Sequence, residues 1–474
     1  MTALWTAADA AHATGGHIAP GANWAARGLS IDTRAVAADD LFVALKGPRF
    51  DGHDFVSAAL DQGAAAAMVD HAPAGADPAR LLAVPDTQAG LEDLARAARA
   101  RSSARIVAVT GSVGKTGTKE ALALLLGRQG LTHASSGNLN NHIGLPLSLA
   151  RLPASAQFGV FEIGMNHAAE ISPLSRILRP HVAIITTVEA VHLENFPDVA
   201  AIADAKAEIF EGLEPGGVAI LNHDNPYFDR LAAHAHQAGV SRVWGFGEAE
   251  EADGRLVSVA LDAFGSTVEA VILGRGLGFR LNLAGRHHAM NALAVLLAVA
   301  ALEGDVDAAA LALADLAPVK GRGVAIEIPV MGGHIRLIDE SYNASPVAVR
   351  AALSVLAMME PQSDGRKLVV LGDMLELGEA EAAAHAELAQ PLIGAGVHLV
   401  FTAGPLSRQL YEALPAGIRG GHAADSGALA PILTAAVKAG DIVLIKGSAG
   451  SKMGNLVAAL RGLAAENEKT RHAL

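Results

Sequence analysis

The 474-residue sequence contains no cysteine, and basic residues are outnumbered by acidic ones. Without cysteine the chain forms neither disulfides nor thiolate metal sites, which agrees with a reducing compartment, and a cytoplasmic protein is expected. The 36 Lys and Arg against 49 Asp and Glu give a net charge of -13, with no basic cluster. Nucleic acid is therefore not an expected partner, and an anionic substrate would need locally placed Arg and Lys.

Long apolar runs are also missing. The longest, residues 292–302, is far shorter than the ~20 residues that span a bilayer, so no stable membrane insertion is expected. The first residues include Asp9 and lack a basic region, which predicts no signal peptide. Apolar residues make up 51% of the chain and charged residues 18%, the composition of an ordered globular protein.

Short apolar runs alternate with helical patterns along most of the chain, which predicts an α/β protein. The runs FGVFEIG, HVAIITTV and GVAILN in its middle predict parallel strands with helical crossovers. Residues 255–283 instead contain three short alternating segments, which predict an antiparallel patch. Gly332 and Gly333 predict a hairpin at the start of a further α/β domain.

Residues 109–120 read VTGSVGKTGTKE and lie between a strand pattern and a helix pattern. This is the context of a phosphate-binding loop, but the P-loop pattern requires glycine where Val109 stands, so the loop is shorter than usual. Its glycines can turn N–H groups toward a phosphate, Lys115 adds a positive charge, and Thr116 can place a hydroxyl on Mg2+. The alternative is a glycine turn that caps a helix beside an incidental lysine.

Several polar residues lie near predicted strand ends, where the ligand sites of α/β proteins concentrate. Glu162 at the end of FGVFEIG is either a magnesium ligand or a hydrogen-bonded strand-end carboxylate. His192, after HVAIITTV, is either a metal ligand or a packed or solvated histidine. Lys206 has, by its spacing alone, the pattern of a solvated helix lysine. Other candidates, each weak evidence alone, are Asn291, Arg322 and the string DESYNASP at 339–346.

Taken in order, several strings resemble the Mur ligases, the ATP-dependent amide-bond-forming enzymes of peptidoglycan precursor synthesis. These strings, which extend over nearly the whole chain, are LFVALKGPRFDGHDF, TGSVGKTGTKE, GNLNNHIGLPLSLA, DESYNASP, VVLGDMLELGE and LIKGS. Within the family they are similar to those of the member that joins D-alanyl-D-alanine to UDP-N-acetylmuramoyl-tripeptide. The implied reaction proceeds through an acyl phosphate and gives UDP-N-acetylmuramoyl-pentapeptide, ADP and phosphate.

The resemblance also implies three α/β domains. Residues 1–103 would form a small N-terminal domain that holds the uridine nucleotide, and residues 104–317 a central P-loop ATPase with a mostly parallel sheet. Residues 318–474 would form a Rossmann-like domain that closes over ATP. A monomer is expected.

For the reaction centre, the resemblance implies that ATP phosphates contact the glycine loop and that two Mg2+ ions bind beside it. The phosphate-binding residues would be Gly111, Ser112, Val113, Gly114, Lys115, Thr116 and Gly117. Thr116 and Glu162 would bind one ion, and Glu162, His192 and a carbamate on Lys206 the second. The expected catalytic residues are Lys115, Glu162, His192 and Lys206. A lysine reacts with carbon dioxide only as a neutral amine, which a cation-rich pocket favours.

The remaining ATP contacts implied by the resemblance come from later in the chain. Asn291 would contact adenine, Arg322 the phosphates and Asp339 the ribose. Glu340 stands where a second aspartate is common in the family.

The resemblance further implies a site for the uridine diphosphate part of the substrate in the N-terminal domain. Its residues would be Asp32, Thr33, Arg34, Lys46, Arg49, Asp51 and His53, and further substrate contacts would come from Asn138, Asn141 and Asn343.

The sequence departs from the family pattern at two further places. Glu189 and Ala190 replace a glycine-containing turn before His192. Ala449 replaces an arginine often found in the last motif, and Lys446 and Lys452 are nearby candidates to hold substrate carboxylates.

Two other functions remain open from sequence. One is a different amide ligase, such as a folylpolyglutamate synthase or the ligase that adds the third stem residue, although the DTR and FDGHDF strings favour a uridine-linked substrate. The other is a nucleotide switch without ligase activity, which Glu162 and the C-terminal motifs disfavour. Whether the tripeptide ends in diaminopimelate or lysine is also open.

Overall fold

The computed structural model of the chain describes residues 3–362 and 364–471. The N-terminal elements are β1 (Trp5–Thr6), α1 (Ala7–Thr14), β2 (His17–Ile18), β3 (Ala25–Ala26), β4 (Gly28–Ser30), β5 (Asp40–Val43), α2 (Val56–Asp61), β6 (Ala66–Val69), β7 (Leu81–Ala83) and α3 (Thr87–Arg101). A five-stranded sheet has the order β2-β7-β6-β5-β4, and its strands from β7 to β4 are parallel. The parallel strands β4 and β5 therefore end at the same edge.

The central elements form the largest sheet. They are β8 (Arg105–Thr110), α4 (Lys115–Gly127), β9 (Thr132–Ala134), α5 (Gly144–Ala150), β10 (Phe158–Glu162), α6 (Ile171–Leu178), β11 (Val182–Ile185), α7 (Val199–Ala207), β12 (Val218–Asn222), α8 (Phe228–Gln237), β13 (Arg242–Gly247), β14 (Gly254–Asp262), β15 (Gly265–Ile272), β16 (Arg275–Leu281), α9 (Arg286–Ala301) and α10 (Val306–Ala312). The nine strands lie in the order β16-β15-β14-β13-β12-β11-β8-β10-β9. Strands β8 to β13 pair in parallel, and β14 to β16 pair antiparallel, which confirms the predicted antiparallel patch.

Helices cover the central sheet on both faces, which explains why its parallel strands are almost continuously apolar. On one face Leu122 of α4 and Leu297 of α9 belong to one buried core. On the other face Leu147 of α5 belongs to a second core, which continues through Trp5 of the separate β1-β3 pair and Leu82 of the five-stranded sheet. The Trp5 indole N–H also donates to the carbonyl of Ala150 at 3.0 Å. The first two sheets therefore share one apolar core.

The C-terminal elements form a third sheet. They are β17 (Val324–Val330), β18 (Gly333–Glu340), α11 (Pro346–Ala357), β19 (Lys367–Gly372), α12 (Glu381–Ala386), α13 (Ala389–Gly394), β20 (Leu399–Ala403), α14 (Ser407–Ala413), β21 (Arg419–Ala423), α15 (Ser426–Ala436), β22 (Ile442–Lys446) and α16 (Gly454–Arg471). The order is β17-β18-β22-β19-β20-β21, parallel except for the β17-β18 hairpin that the sequence predicted. The carboxyl ends of β18, β22 and β19 are therefore neighbours.

Among the helices of the described ranges, none combines the length and the apolar character that crossing a bilayer requires.

Candidate functional site

The glycine loop follows β8, which lies between β10 and β11 in the central sheet. Gly111 and Gly114 have φ of 144° and 91°, values that other residues rarely adopt. A Cβ on Gly111 would overlap Thr186, and a Cβ on Gly114 would lie 2.7 Å from the side-chain nitrogen of Asn291. The loop leads directly into α4 at Lys115, so the N–H groups of the first helical turn point toward it.

The loop is fixed to the segment that follows β11. The Ser112 N–H donates to the carbonyl of Thr187 at 2.9 Å, and Thr186 Oγ1 donates to the carbonyl of Val113 at 2.5 Å. Ser112 Oγ donates to the Glu189 carbonyl at 3.1 Å and accepts the Glu189 N–H at 2.9 Å. Glu189 therefore supports the loop through its backbone, while burial raises the pKa of its carboxyl.

Thr116 and Glu162 are in direct contact. Thr116 Oγ1 donates to Glu162 Oε2 at 2.8 Å, and Asn140 Nδ2 donates to the other carboxylate oxygen at 2.7 Å. Both Thr116 and Glu162 are buried, whereas a Cβ on Gly117, the next residue of α4, would meet open space. A hydroxyl and a carboxylate are hard oxygen donors, so this pair suits Mg2+.

The asparagine that reaches Glu162 is Asn140, which the sequence analysis did not single out. Asn141 Oδ1 instead accepts the Gly144 N–H at 2.8 Å at the start of α5, and Asn138 is exposed. The string GNLNNHIG contains three asparagines within four positions, and nothing in it indicates which one faces the carboxylate.

The Lys115 side chain folds back onto its own loop. Its Nζ donates to the carbonyl of Gly111 at 2.6 Å. Burial lowers the pKa of Lys115, while the charge of Glu162 opposes that shift and the charge of Arg322 adds to it. Arg322, which precedes β17, is thus within electrostatic reach of the loop lysine.

Lys206 is a buried lysine near the end of α7, where the sequence pattern alone suggested a solvated one. Only 2% of its surface is exposed. Burial lowers its pKa well below the usual lysine range, and the nearby charge of Lys115 lowers it further. This environment favours the neutral amine, the form that reacts with carbon dioxide.

His192 adopts a left-handed backbone conformation, with φ of 57°, at the start of the turn Leu193–Asn195. Burial lowers the pKa of His192, the charge of Glu376 opposes this, and the charges of Lys115 and Lys206 add to it. Its Nδ1 contacts the carboxylate of Glu376, which follows β19 of the C-terminal sheet. The structure thus brings Lys115, Lys206 and His192 within electrostatic reach of one another, and sequence reasoning missed Glu376.

The C-terminal candidates lie at the end of β18 and before β17. Asp339 is buried, and its Oδ1 accepts from the N–H and hydroxyl of Ser341 at 3.1 and 2.6 Å. The Arg322 guanidinium lies over the ring of Tyr342, 4.2 Å from its centroid. The side chain of Asn343 accepts the N–H of Ala344 at 2.9 Å.

Lys446 and Lys452 are the two candidates to hold a substrate carboxylate, and of these only Lys452 is exposed. Lys446 is buried, and its Nζ is paired with Glu340 at 2.8 Å. Ala449 begins a single helical turn between them.

The N-terminal candidates lie in the loops that follow β4 and β5. Arg34 and Asp32 form a two-pronged ion pair at 2.6 and 2.9 Å, and hydrogen bonds from Arg34 lower the pKa of Asp32. Thr33 begins a short helical turn, Thr33–Ala35, which directly follows Asp32. Because β4 and β5 end at the same edge, this turn lies beside the second loop.

The second loop is closed by Asp51. Its Oδ1 lies 2.6 Å from Nδ1 of the buried His53, and its Oδ2 lies 3.7 Å from Nζ of Lys46. Hydrogen bonds from His53, first from its backbone and then from its side chain, lower the pKa of Asp51. Arg49 lies at the exposed tip of this loop.

Three family models match the chain along its length. They are "Mur ligase family, catalytic domain" at residues 26–99, "Mur ligase middle domain" at 109–299 and "Mur ligase, glutamate ligase domain" at 328–449. The chain belongs to the Mur ligase family.

The chain is similar to several named members of that family. It is 34% identical to the UDP-N-acetylmuramoyl-tripeptide--D-alanyl-D-alanine ligase of Rickettsia prowazekii, over 90% of this chain and 94% of that one. MurF from Acinetobacter baumannii superposes with a TM-score of 0.83 and 29% identity, covering 97% of this chain and 99% of that one. MurF from Thermotoga maritima, solved in complex with ADP, gives a TM-score of 0.77 and 28% identity, covering 93% and 98%.

Proposed function

We propose that this chain is an ATP-dependent ligase that joins D-alanyl-D-alanine to UDP-N-acetylmuramoyl-tripeptide in peptidoglycan synthesis. The observation that carries the proposal is the contact between Thr116 and Glu162 beneath the glycine loop, at 2.8 Å, in a chain that aligns with D-alanyl-D-alanine-adding ligases over nine-tenths of its length. A hydroxyl, a carboxylate and Lys115 around one loop suit phosphoryl transfer from ATP.

The chemistry requires ATP because a carboxylate oxygen is a poor leaving group. The terminal carboxylate of the tripeptide attacks the γ-phosphorus, ADP leaves, and an acyl phosphate forms. The free amine of D-alanyl-D-alanine then attacks the acyl carbon, phosphate leaves as the amide bond forms, and the nitrogen releases one proton. The loop N–H groups and Lys115 hold the phosphate oxygens and offset their charge.

Bound Mg2+ would supply further charge neutralisation at the phosphate oxygens. We assign Thr116 and Glu162 to one ion, and Glu162, His192 and a carbamate on Lys206 to a second. The buried amine of Lys206 supports the carbamate, since its lowered pKa favours the neutral form. In that reaction the amine adds to carbon dioxide and releases one proton.

The three sheets would divide the substrates among them. Residues 1–103 would hold the uridine nucleotide, and residues 104–317 would hold ATP. Residues 318–474 would close over the bound ATP. Asn291, whose side chain lies beside Gly114, would contact adenine, and Arg322 would contact the phosphates. Asp339 would bind the ribose while its Oδ1 also accepts from the hydroxyl of Ser341.

The substrate contacts would follow the same division. The two adjacent loops after β4 and β5, which carry Asp32 and Asp51 with their cationic partners, would hold the uridine diphosphate. Asn138, Asn141 and Asn343 would contact the remainder of the substrate, and exposed Lys452 rather than paired Lys446 would face a substrate carboxylate.

The direct test is phosphate release by the purified chain with ATP and UDP-N-acetylmuramoyl-tripeptide, prepared with diaminopimelate or with lysine as third residue. D-Alanyl-D-alanine should stimulate release and give a pentapeptide detectable by mass spectrometry, whereas single amino acids should not. ATP turnover that is independent of any amine would support the nucleotide switch instead. The cytoplasmic location and monomeric state remain predictions, and light scattering of the purified chain tests the latter.

A further inference from the structure

The loop after β19 reaches from the C-terminal sheet to the candidate metal ligand of the central sheet. Glu376 is 44% exposed along its side chain, and its carboxylate contacts Nδ1 of His192. The two loops also touch through their backbones, since a Cβ on Gly378 would lie 3.5 Å from the Cα of Glu194. The ion pair is therefore part of a wider seam between two sheets.

Backbone geometry on both sides supports this pairing. His192 has φ of 57° and Glu376 has φ of 66°, the left-handed region that residues other than glycine rarely occupy. Such conformations persist only where surrounding structure maintains them, and they are frequent at functional sites. Two of them facing each other across one hydrogen bond indicate a specific arrangement of both loops.

The contact determines which nitrogen of His192 remains available. A carboxylate accepts, so the neutral ring that satisfies this contact donates from Nδ1 and keeps its lone pair on Nε2. No hydrogen bond to Nε2 is present within residues 3–362 and 364–471. A carboxylate on one ring nitrogen is the usual way in which a metal-binding histidine is oriented through the other.

We propose that Glu376 is a positioning residue for His192, which it orients so that Nε2 is the nitrogen that binds a divalent cation. The inference rests on the metal role assigned to His192 under the proposed function. Because Glu376 lies in the loop after β19 of the C-terminal sheet, the orientation of His192 depends on the seam between the two loops. Docking of one sheet and affinity for the second cation are thereby linked.

Manganese binding tests the proposal without relying on turnover. Electron paramagnetic resonance of the full chain with β,γ-methylene-ATP counts the Mn2+ ions bound and gives their affinities. Glu376→Ala should weaken the binding of one of the two Mn2+ ions by about 10- to 100-fold, the usual effect of removing such a carboxylate. Glu376→Gln keeps an acceptor and should recover part of that loss. Glu379→Gln, on an exposed acid of the same loop, is the matched control and should bind Mn2+ like the unaltered chain.

A double variant separates positioning from general loop damage. In a His192→Ala background, Glu376→Ala should cause no further loss of Mn2+ affinity, because its effect acts through the ring. Additive losses of Mn2+ affinity in the double variant would overturn the positioning role alone. The same holds if Glu376→Ala keeps full Mn2+ affinity while His192→Ala loses it. Unchanged affinity in His192→Ala would instead remove the metal role of His192 from the proposed function, and the inference with it.

Discussion

Thr116 Oγ1 and Glu162 Oε2 are 2.8 Å apart although 46 residues separate them in sequence. The contact arises because β8 and β10 are parallel neighbours in the central sheet, so the loop after one meets the last residue of the other. The glycine loop alone supports a phosphate-binding interpretation, and this strand-end carboxylate adds oxygen donors of the kind that Mg2+ prefers.

Lys115→Ala should abolish ATP-dependent phosphate release, because the proposed function assigns the ATP phosphate oxygens to this lysine. Calorimetric titration with UDP-N-acetylmuramoyl-tripeptide should show nearly unchanged affinity, since that substrate is assigned to the N-terminal sheet. Equal loss of both properties would contradict the division of substrates between sheets.

Asn140→Ala should raise the Mg2+ concentration needed for half-maximal activity by about 10-fold or more, because Asn140 holds one oxygen of Glu162. His142→Ala, at an exposed residue of the same loop to which no role is assigned, is the control for the metal effect. Activity measured against Mg2+ concentration gives the comparison. An equal shift in both variants would mean that the loop as a whole, rather than the Asn140 hydrogen bond, determines metal affinity.

Lys206→Ala should lower activity by at least about 100-fold. Charge stabilisation by a metal contributes several kcal/mol, and each ~1.4 kcal/mol corresponds to a tenfold change in rate. Acetate or propionate, which replace the missing carbamate, should restore part of it, whereas added amines should not. Phosphate release measured with and without these anions is the assay. Full activity without them would remove the carbamate from the mechanism.

Stability should fall in acid partly through His133, which burial keeps at a lowered pKa while its Nε2 contacts the Ser148 carbonyl at 2.8 Å. The unfolded chain protonates this histidine first, so stability is lost as pH falls below about 6.5, by at most about 1.4 kcal/mol per pH unit. His133→Gln should therefore lose less stability between pH 7 and pH 5 than the unaltered chain.

Urea midpoints at the two pH values measure that difference. His142→Gln, which replaces an exposed histidine and makes the same change of side chain, is the control. If the two variants lose equal stability, the acid sensitivity arises elsewhere in the chain.

The sequence predicted the parts of the site that local pattern determines. The glycine loop, the parallel strands and the β17-β18 hairpin each follow from residues close together in the chain, and the structure confirms the elements that carry them. Asn140 and Glu376 could not be found this way. Which of several neighbouring asparagines faces Glu162 depends on the turn they adopt, and the partner of His192 lies 184 residues away on another sheet.

The apolar core that joins the first two sheets bears on the stem peptide of the proposed function. Trp5, Leu82 and Leu147 belong to one cluster, whereas the two cores of the C-terminal sheet are built from residues 328 onward. Under the proposed function, a substrate anchored at its uridine end would meet the triphosphate at a span that this shared core holds. Since each added residue extends a peptide by up to about 3.6 Å, such a scaffold would favour one stem length over shorter or longer ones.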